Sequence, residues 1–143
     1  MKVKNEESAG GIVYKKFGSQ TLWLITQHSA HKGWVFPKGL VGDTNQNELP
    51  EQAALREVRE EGGVEAKIFN HQPVETHYSY KFEDALIKKT VLYYLMEYLS
   101  GDPADHDWEM MDAKFVPEDE VKKTLTYKSD REAFDEILKL LNS

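Results

Sequence analysis

One segment in the first half of the chain, Glu48–Glu61, has the composition and spacing of an α-helix. Pro50 suits the first turn of a helix, where its missing N–H is not needed, and Gly62-Gly63 ends the pattern. The segments before and after it are rich in β-branched and aromatic residues, which favour strands. A helix between strand-forming segments predicts a mixed α/β fold.

Strands are predicted wherever short apolar runs are bounded by turn residues. These runs are Ser8–Lys15, Thr21–Gln27, Val64–Phe69, Val74–Tyr80, Thr90–Leu99 and Ala113–Val116. Loops are predicted at His28–Gly33, Gly39–Asn47 and Gly101–Asp107. Two further helices are expected at Pro117–Leu125 and Ser129–Leu141, the second of them capped by Ser129. With 143 residues, the chain is expected to be a single domain spanning residues 1–143.

The acidic residues of the first predicted helix lie on one of its faces. At about 100° per residue, Glu61 lies at about 40° and Glu60 at about −60° from Glu57, so the three carboxylates point in one direction. Leu55 and Val58 belong to a separate apolar stripe that is expected to pack on a sheet.

This acidic face has two interpretations. Carboxylates four residues apart destabilise a helix by about a few tenths of a kcal/mol, and nothing in the sequence offsets that cost. A hard divalent cation with oxygen ligands would turn the repulsion into coordination. The alternative is an ordinary acidic helix with solvated side chains, and the carboxylates alone do not decide between the two.

The charge balance limits the classes of partner. Lys and Arg total 18 against 25 Asp and Glu, which gives a formal net charge of −7. A nonspecific binder of nucleic acid or of anionic membranes would need a basic surface, so we expect neither partner. Phosphate ligands remain compatible with this charge, because a bound divalent cation reverses the local field.

Cysteine content and hydropathy give further limits. The chain has no cysteine, which rules out disulfides, thiolate metal sites and cysteine nucleophiles. No apolar run approaches the roughly 20 residues that span a bilayer, and the first seven residues lack the apolar stretch of a signal peptide. We therefore expect a cytoplasmic protein.

The residues around the acidic face resemble the Nudix box. That pattern is glycine, five residues, glutamate, seven residues, Arg-Glu, an aliphatic residue, any residue, Glu-Glu, any residue, glycine and an aliphatic residue. From Glu48 to Val64 the match is complete. The resemblance extends to Ser8–Gly11, to Trp34–Gly39 and to the overall length.

The chain departs from the box at two positions. The glycine of the Pro-Lys-Gly sequence usually lies five residues before the first glutamate, whereas here eight residues separate Gly39 from Glu48. Gly42 has the literal spacing, but the context favours Gly39 followed by a three-residue insertion. The helix-capping position, usually Ser or Thr, holds Leu49, and the lost cap is expected to cost about 1 kcal/mol unless Asn47 caps instead.

The resemblance implies a fold and a chemistry. The fold is a mixed β-sheet sandwiched between α-helices, with the box acids facing the loop after Phe36. The chemistry is hydrolysis of a nucleoside diphosphate linked to another moiety, with Mg²⁺ or Mn²⁺ as cofactor. Glu57 and Glu61 would be the main metal ligands, Glu60 a supporting ligand and Gly39 a backbone carbonyl ligand.

In this family a carboxylate after the last long strand often supplies a general base or a further metal ligand. Asp107, Glu109 and Asp112 are the candidates. Glu109 is preferred, because His106–Glu109 followed by Phe115–Pro117 resembles that region of dinucleoside-polyphosphate hydrolases. A solvated loop acid is the alternative.

Two lysines are candidates for phosphate contacts. Lys38 lies in the loop that faces the helix start, and Lys89 lies just before the aromatic strand; an exposed lysine is the alternative for each. Arg56 points off the acidic face and is expected to orient a carboxylate such as Glu48. The five histidines are scattered and are expected to be surface or core residues rather than ligands.

Within the family, the chain is most similar to the diadenosine-polyphosphate hydrolases. The similar segments are Gly33–Gly39, Lys88–Leu95 and Leu125–Tyr127. Tyr78, Tyr80 and Tyr127 are candidates to stack on adenine. The same features would serve ADP-ribose, inositol pyrophosphate or an oxidised nucleotide.

Two other classes of function stay open. One is a non-catalytic sensor that binds a nucleotide through a Nudix fold, which the loss of box glutamates would favour; none is lost. The other is an acidic interaction module that matches the box by chance. For the enzyme we expect a monomer or homodimer, and higher activity at alkaline pH because the acids must be ionised to hold a metal.

Overall fold

Two long strands form the centre of the sheet. The structure, a computed structural model, describes residues 1–42 and 45–142. Strand β1 (Lys2–Phe17) and strand β7 (Ala85–Gly101) run parallel and pair from Lys2 opposite Ala85 to Tyr14 opposite Glu97. Both strands are longer than the sequence predicts, because their polar ends continue the same ladder of backbone hydrogen bonds.

The other strands of the described residues flank this pair. Strand β2 (Gln20–His28) forms a hairpin with β1, and the turn between them contains Gly18 at φ +63°. Strands β3 (Trp34–Val35) and β8 (Met110–Pro117) pair with β2, strand β4 (Lys38–Leu40) pairs with β1, and strands β5 (Val64–Ile68) and β6 (Val74–Phe82) pair with β7. All of these pairs are antiparallel, so the sheet is mixed.

Helices cover both faces of the sheet. Helix α1 (Pro50–Gly62) packs on one face, and helices α2 (Glu118–Thr124) and α3 (Lys128–Leu141) pack on the other. The sandwich of helices around a mixed sheet is therefore confirmed. None of the helices in the described ranges is long and apolar enough to span a membrane.

The core is divided in two by the sheet, since successive side chains of a strand point to opposite faces. Tyr93 belongs to the cluster on the α3 side, and the next residue, Tyr94, to the cluster on the α1 side. Leu55 is partly buried and Val58 fully buried in the α1 cluster, which confirms the predicted apolar stripe.

Two local predictions are wrong. The loop predicted at Gly39–Asn47 begins inside β4, because the backbone of Lys38–Leu40 pairs with Ser8–Gly10 of β1. Ser129 does not cap α3: the N-cap is Tyr127, so Ser129 lies within the first turn.

The first turn of α1 has no side-chain cap, so the alternative in which Asn47 caps the helix is wrong. Leu49 is the N-cap in extended conformation and supplies no side-chain hydrogen bond, so Asn47 does not cap the helix. The Gln52 side chain instead accepts from the Leu49 N–H at 2.9 Å. One orphan donor at the helix start is thereby satisfied.

Candidate active site

The acidic face of α1 points at the loop after Phe36, as predicted. Glu57 and Glu61 are each only 6% exposed, whereas the Glu60 side chain is 46% exposed. Glu61 accepts a hydrogen bond from the backbone N–H of Lys38 at 3.2 Å. A Cβ on residue 39 would collide with the Glu57 carboxylate, so a larger residue there would displace that carboxylate from its present position against β4.

Arg56 holds the carboxylates together. Its guanidinium donates to both oxygens of Glu48, at 2.8 and 3.0 Å, which is the contact that the sequence predicts. It also donates to Glu57 at 2.6 Å and to Glu60 at 3.2 Å. These bonds lower the pKa of Glu48 and raise the pKa of Arg56 above its already high usual value. Arg59, on the opposite side of the helix, is 48% exposed and lies 3.8 Å from Glu65.

Burial makes the two inner carboxylates unusually basic. Burial, followed by the charge of Glu57, raises the pKa of Glu61 to about 9, although the Lys38 N–H acts in the opposite direction. Burial also raises the pKa of Glu57, despite its bond to Arg56. A buried carboxylate pair of this kind is stabilised in its charged form by a cation, so the site favours a bound positive charge.

The donor set fits a hard divalent metal ion. Glu57, Glu60 and Glu61 offer carboxylate oxygens, the ligands that Mg²⁺ and Mn²⁺ prefer. Among the described residues, no three acidic or histidine side chains are already arranged around one point as a metal site. The Arg56 guanidinium bonds to two of these acids, so a metal would have to compete with it for the Glu57 and Glu60 oxygens.

Glu109 approaches the same acids from the loop before β8. Its side chain is exposed, and its charge contributes to the raised pKa of both Glu57 and Glu61. Its backbone is fixed, because the Glu109 carbonyl accepts from the Ser29 hydroxyl at 2.8 Å and from the Ser29 N–H at 2.9 Å. The other two candidates, Asp107 and Asp112, do not line the cavity described next.

A cleft of about 1040 Å³ opens above these acids. The site residues preferred in the sequence analysis all line it: Lys38, Gly39, Glu57, Glu60, Glu61, Tyr78, Tyr80, Lys89, Glu109 and Tyr127. The cleft is large enough for a nucleotide-sized ligand. A smaller cavity of about 370 Å³ at the β6–β7 hairpin shares Tyr80 with the cleft but contains none of the box acids.

The two lysines predicted from the sequence, Lys38 and Lys89, line the cleft, as does Lys128. The Lys38 ammonium lies 5.3 Å from the centre of the Tyr78 ring, within the range of a cation–π contact. Burial, followed by the nearby charge of Lys38, lowers the pKa of Lys89. Two ammonium groups that repel each other in a partly buried position favour an anionic ligand between them.

Aromatic rings occupy the remaining walls. Tyr78 and Tyr80 stack with centroids 6.3 Å apart. His28 and His31 stack at 4.5 Å, and the Tyr127 ring packs edge-on against His31 at 5.7 Å. His28 and His31 are not fully buried, and the end of β2 and the turn after it place both at the cleft wall.

Several residues of the cleft were not singled out by the sequence reasoning, and Asp130 is the most buried of the charged ones. Asp130, in the first turn of α3, is only 1% exposed and lines the cleft. An acid at a helix start is ordinary because it suits the helix dipole, so its sequence position gave no signal.

The insertion after Gly39 lies between that glycine and Glu48. Residues 43 and 44 lie outside the described residues. On the near side, Gly42 adopts φ +84° and its N–H donates to Glu48 at 3.2 Å. Gly39, not Gly42, is therefore the glycine in contact with the acid of α1.

Comparison with known sequences identifies relatives over the whole chain. The family described as NUDIX domain matches residues 4–137. A Mycobacterium tuberculosis protein assigned the name mutator protein MutT4 is 31% identical over 152 aligned positions. The alignment covers 100% of this chain but only 60% of that relative's length.

Solved structures share the fold. A C. elegans Ap4A hydrolase in a binary complex superposes with a TM-score of 0.81 at 23% identity, covering 96% of this chain and 98% of that one. The NUDIX domain of Shewanella oneidensis NrtR, crystallised with ADP ribose, gives a TM-score of 0.68 at 17% identity, covering 97% and 89%. At these identities the likeness concerns the fold.

Proposed function

The chain belongs to the Nudix family, and from that premise we propose that it hydrolyses a pyrophosphate bond in a nucleoside diphosphate linked to another moiety. A diadenosine polyphosphate is the substrate that we favour. One observation carries the proposal: the box acids Glu57, Glu60 and Glu61 share a single nucleotide-sized cleft with Glu109, Lys38 and Lys89, which come from three other segments. Pyrophosphate is a polyanion, so its hydrolysis requires this combination of metal-binding and phosphate-binding groups.

The box acids are the proposed metal site. Glu57 and Glu61 are the main ligands of Mg²⁺ or Mn²⁺, Glu60 is a supporting ligand, and the backbone carbonyl of Gly39 is a further one. A metal bound there supplies positive charge and Lewis acidity to the phosphates. Because the acids must lose their protons to bind it, and the pKa of Glu61 is raised to about 9, activity is expected to increase toward alkaline pH.

The other cleft residues have separate roles in the proposal. Lys38 and Lys89 bind the phosphate oxygens and neutralise part of their charge. Glu109, exposed at the cleft edge, accepts the proton of the attacking water as general base. Tyr80 and Tyr127 offer aromatic faces on which a base can stack.

The comparisons support this substrate class at different levels. The similarity to the C. elegans Ap4A hydrolase favours a diadenosine polyphosphate, and the similarity to the NrtR domain crystallised with ADP ribose makes ADP-ribose the second candidate. The similarity to the relative named as a mutator protein makes an oxidised nucleoside triphosphate a third candidate substrate. A non-catalytic sensor is disfavoured, since every box glutamate is present.

We also propose the partner, the location and the oligomeric state of the enzyme. The net charge of −7 supports a small-molecule nucleotide as partner rather than nucleic acid or a membrane surface. A cytoplasmic monomer or homodimer is the form that we propose.

The proposal is tested by product release from diadenosine tetraphosphate, ADP-ribose and an oxidised nucleoside triphosphate, with and without Mg²⁺ or Mn²⁺. We expect metal-dependent turnover of at least one. Glu61→Gln should reduce kcat/KM by about 10²–10³-fold, the range for removal of a charge-stabilising group. Glu65→Gln is the matched control, because Glu65 follows the same helix but is exposed outside the cleft, and it should retain activity.

Three results would count against the proposal. Absence of turnover on every substrate, together with tight nucleotide binding, would favour the sensor. Full activity without divalent metal would remove the role of the acids as ligands. Equal activity of Glu61→Gln and wild type would show that the metal ligands are assigned wrongly.

A further inference from the structure

Strand β6 leaves one edge of the sheet open. It pairs with β7 on one side, and no strand of the described residues pairs with it on the other. Within the same described residues, the backbone hydrogen bonds outside the strand ladders and helices involve none of residues 74–82. Nine residues is long for an open edge, since strands in globular proteins most often have about five or six. Such an edge is a template on which another strand can pair.

The features that usually protect an open edge are few in β6. Proteins block such edges with proline, with bulges or with charged side chains. The strand contains no proline, and its register with β7 is regular from end to end. It carries one carboxylate, Glu75, and one ammonium group, Lys81, both exposed and both on the same face by alternation. Whether the edge is blocked therefore depends on what these two charges meet when a second strand approaches.

One register with a second copy of β6 turns the two charges into ion pairs. In an antiparallel pair related by a two-fold axis normal to the sheet, opposed side chains point to the same face. An axis at Tyr78 places Glu75 opposite Lys81 of the second copy, and symmetry repeats the pair on the other side of the axis. All nine residues of the strand are paired in this register. An axis shifted by one residue shortens the ladder and sets Glu75 opposite Ser79, or Lys81 opposite His77, so the charges favour the full-length register.

The apolar residues at the two ends of β6 fit the same register. Val74 packs against the core cluster under α3, whereas Phe82, on the same face at the other end of the strand, is 63% exposed. Antiparallel pairing about Tyr78 sets Phe82 opposite Val74 of the second copy. An aromatic ring opposite a β-branched side chain is a favourable cross-strand pair, and the contact removes apolar surface from water. The side chains on the other face of the strand are all exposed, so that face is open as well; they are Glu75, His77, Ser79 and Lys81.

We propose that two copies of the chain associate through β6, antiparallel about a two-fold axis at Tyr78, and so form one continuous sheet. The unpaired edge, the regular ladder and the self-complementary charges carry this inference. It selects the homodimer over the monomer, and it does not depend on whether the cleft is catalytic. Because Tyr78 and Tyr80 line the cleft, the clefts of the two copies meet at the axis, and each copy contributes aromatic side chains beside the cleft of the other.

The first measurement is sedimentation velocity of the wild-type chain from micromolar to near-millimolar concentration. The sedimentation coefficient should rise from the value of a monomer to that of a dimer, since an interface made by one strand from each copy is expected to be of moderate affinity. A chain that remains monomeric over the whole range overturns the inference. So does a series of species that grows beyond the dimer, because a two-fold interface is closed.

Charge reversal is the decisive test of the surface. Lys81→Glu sets like charges opposite each other at both symmetric positions, so the dissociation constant of the dimer should increase about tenfold or more. Glu75→Lys should have the same effect, and the double variant Glu75→Lys/Lys81→Glu should recover the wild-type value, because the pairs are again complementary. Lys123→Glu is the control: it makes the same charge change at an exposed lysine of α2 and should leave the dissociation constant unchanged. Single reversals without effect, or a double variant that stays as weak as the singles, overturn the inference.

A cysteine introduced into β6 reports the register, because the chain has none of its own. Tyr78→Cys brings the two sulfurs opposite each other at the axis, within the distance of a disulfide, so mild oxidation should link the copies covalently. In Thr76→Cys, on the same face, the two positions are offset by four residues, or about 13 Å, and no link should form. Equal cross-linking of the two variants overturns the register. If Tyr78→Cys does not fold, the charge reversals at the exposed positions decide.

The outcomes separate this inference from the proposed function, since none of these measurements uses a substrate. A dimer that Lys81→Glu weakens and the double reversal restores, without turnover of any nucleotide, supports the inference while the hydrolase proposal fails. An active chain that is monomeric at every concentration overturns the inference and leaves the hydrolase proposal intact.

Discussion

The two faces of the sheet are packed with different kinds of side chain. The face under α3 holds large rings in mutual contact: Trp23 and Phe134 lie edge to face at 5.0 Å, and Phe36 lies 5.9 Å from Phe134. The face under α1 combines larger side chains such as Met96 with small ones, among them Ala53 and Ala54, both fully buried. The α3 face therefore holds the larger cluster of buried apolar side chains, whereas small residues on the α1 face allow the helix to approach the sheet closely.

The close approach of α1 to the sheet allows this face to bury charged side chains. A Cβ on Gly11 would lie 2.5 Å from the Val58 side chain, so the helix rests almost directly on the strand. At this distance the helix holds Arg56, Glu57 and Glu61 below the surface, at 8%, 6% and 6% exposure. Burial of ionisable groups is unfavourable unless they are paired or neutralised, so this face gives up stability to form a site.

The segment that runs from β3 to β4 connects the two faces. Phe36 packs in the aromatic core, and two residues later the N–H of Lys38 donates to Glu61. The rigid core thus fixes the backbone that meets the acids. The comparison predicts that substitutions on the α3 face change stability, whereas substitutions on the α1 face change activity.

The largest effect is expected for Phe134→Ala. Phe134 is fully buried between Trp23 and Phe36, and removal of its ring leaves a cavity. We expect a loss of about 3–5 kcal/mol in the free energy of unfolding, measured by urea denaturation, with kcat/KM per folded molecule unchanged. Phe17→Ala, at a side chain that is 68% exposed, is the control and should cost far less. A large loss of kcat/KM in folded Phe134→Ala would contradict the division between the faces.

The next largest effect is the pH dependence of stability in metal-free protein. The pKa of Glu61 is raised from 4.5 to about 9, so the folded protein holds a proton at neutral pH that the unfolded chain has released. Between these values the unfolded state binds fewer protons, and stability must decrease as pH rises. We expect the melting temperature in chelator to fall by several degrees from about pH 6 to about pH 9.

Glu61→Gln should flatten this profile, because the amide cannot titrate. Some slope should remain, since the pKa of Glu57 is also raised. Glu65→Gln, at an exposed acid, should follow wild type. Mg²⁺ added to wild type at the higher pH should restore the melting temperature, as it binds the folded state only. Parallel profiles for wild type and Glu61→Gln would contradict the raised pKa.

The sequence predicts the α1 face well because its information is local. The helix, the shared direction of its acids and the bond between Arg56 and Glu48 follow from residues within about four helical turns, where spacing fixes direction. The lysines and tyrosines that line the cleft were found through family resemblance. Their roles in binding and catalysis stay predictions.

What the sequence does not predict depends on contacts between distant segments. Asp130 is given its environment by Tyr93, 37 residues earlier, and His31 meets Tyr127 across 96 residues. No local pattern marks such pairs. Strand β4 is only three residues long and pairs with β1 through backbone atoms, which every residue type supplies. Its composition therefore resembles that of a loop.

A smaller effect on activity is expected for Arg56→Lys. The guanidinium bonds Glu48, Glu57 and Glu60 at once, and a lysine ammonium cannot reproduce this planar fork. Because Arg56 orients the acids rather than touching substrate, kcat/KM should fall by about 10–100-fold, with a weaker apparent affinity for Mg²⁺ measured by metal titration. Arg59→Lys, at a half-exposed arginine on the opposite side of α1, should retain both values. An unchanged metal affinity in Arg56→Lys would show that the acids do not need the fork.

The smallest effect is expected at the start of α1, where Leu49 is 62% exposed and gives no side-chain cap. Leu49→Ser adds a hydroxyl that can accept from a backbone N–H of the first turn, while Gln52 already accepts from the N–H of residue 49. The capping box would be complete, and the free energy of unfolding should increase by about 1 kcal/mol. Leu49→Ala removes the same exposed side chain without adding an acceptor, so it separates the cap from the loss of apolar surface. A stabilised Leu49→Ser with unchanged kcat/KM would show that α1 can be stabilised at its N-terminus without disturbing its acids. Equal stability of Leu49→Ser and Leu49→Ala would show that a side-chain cap adds no stability to this helix start.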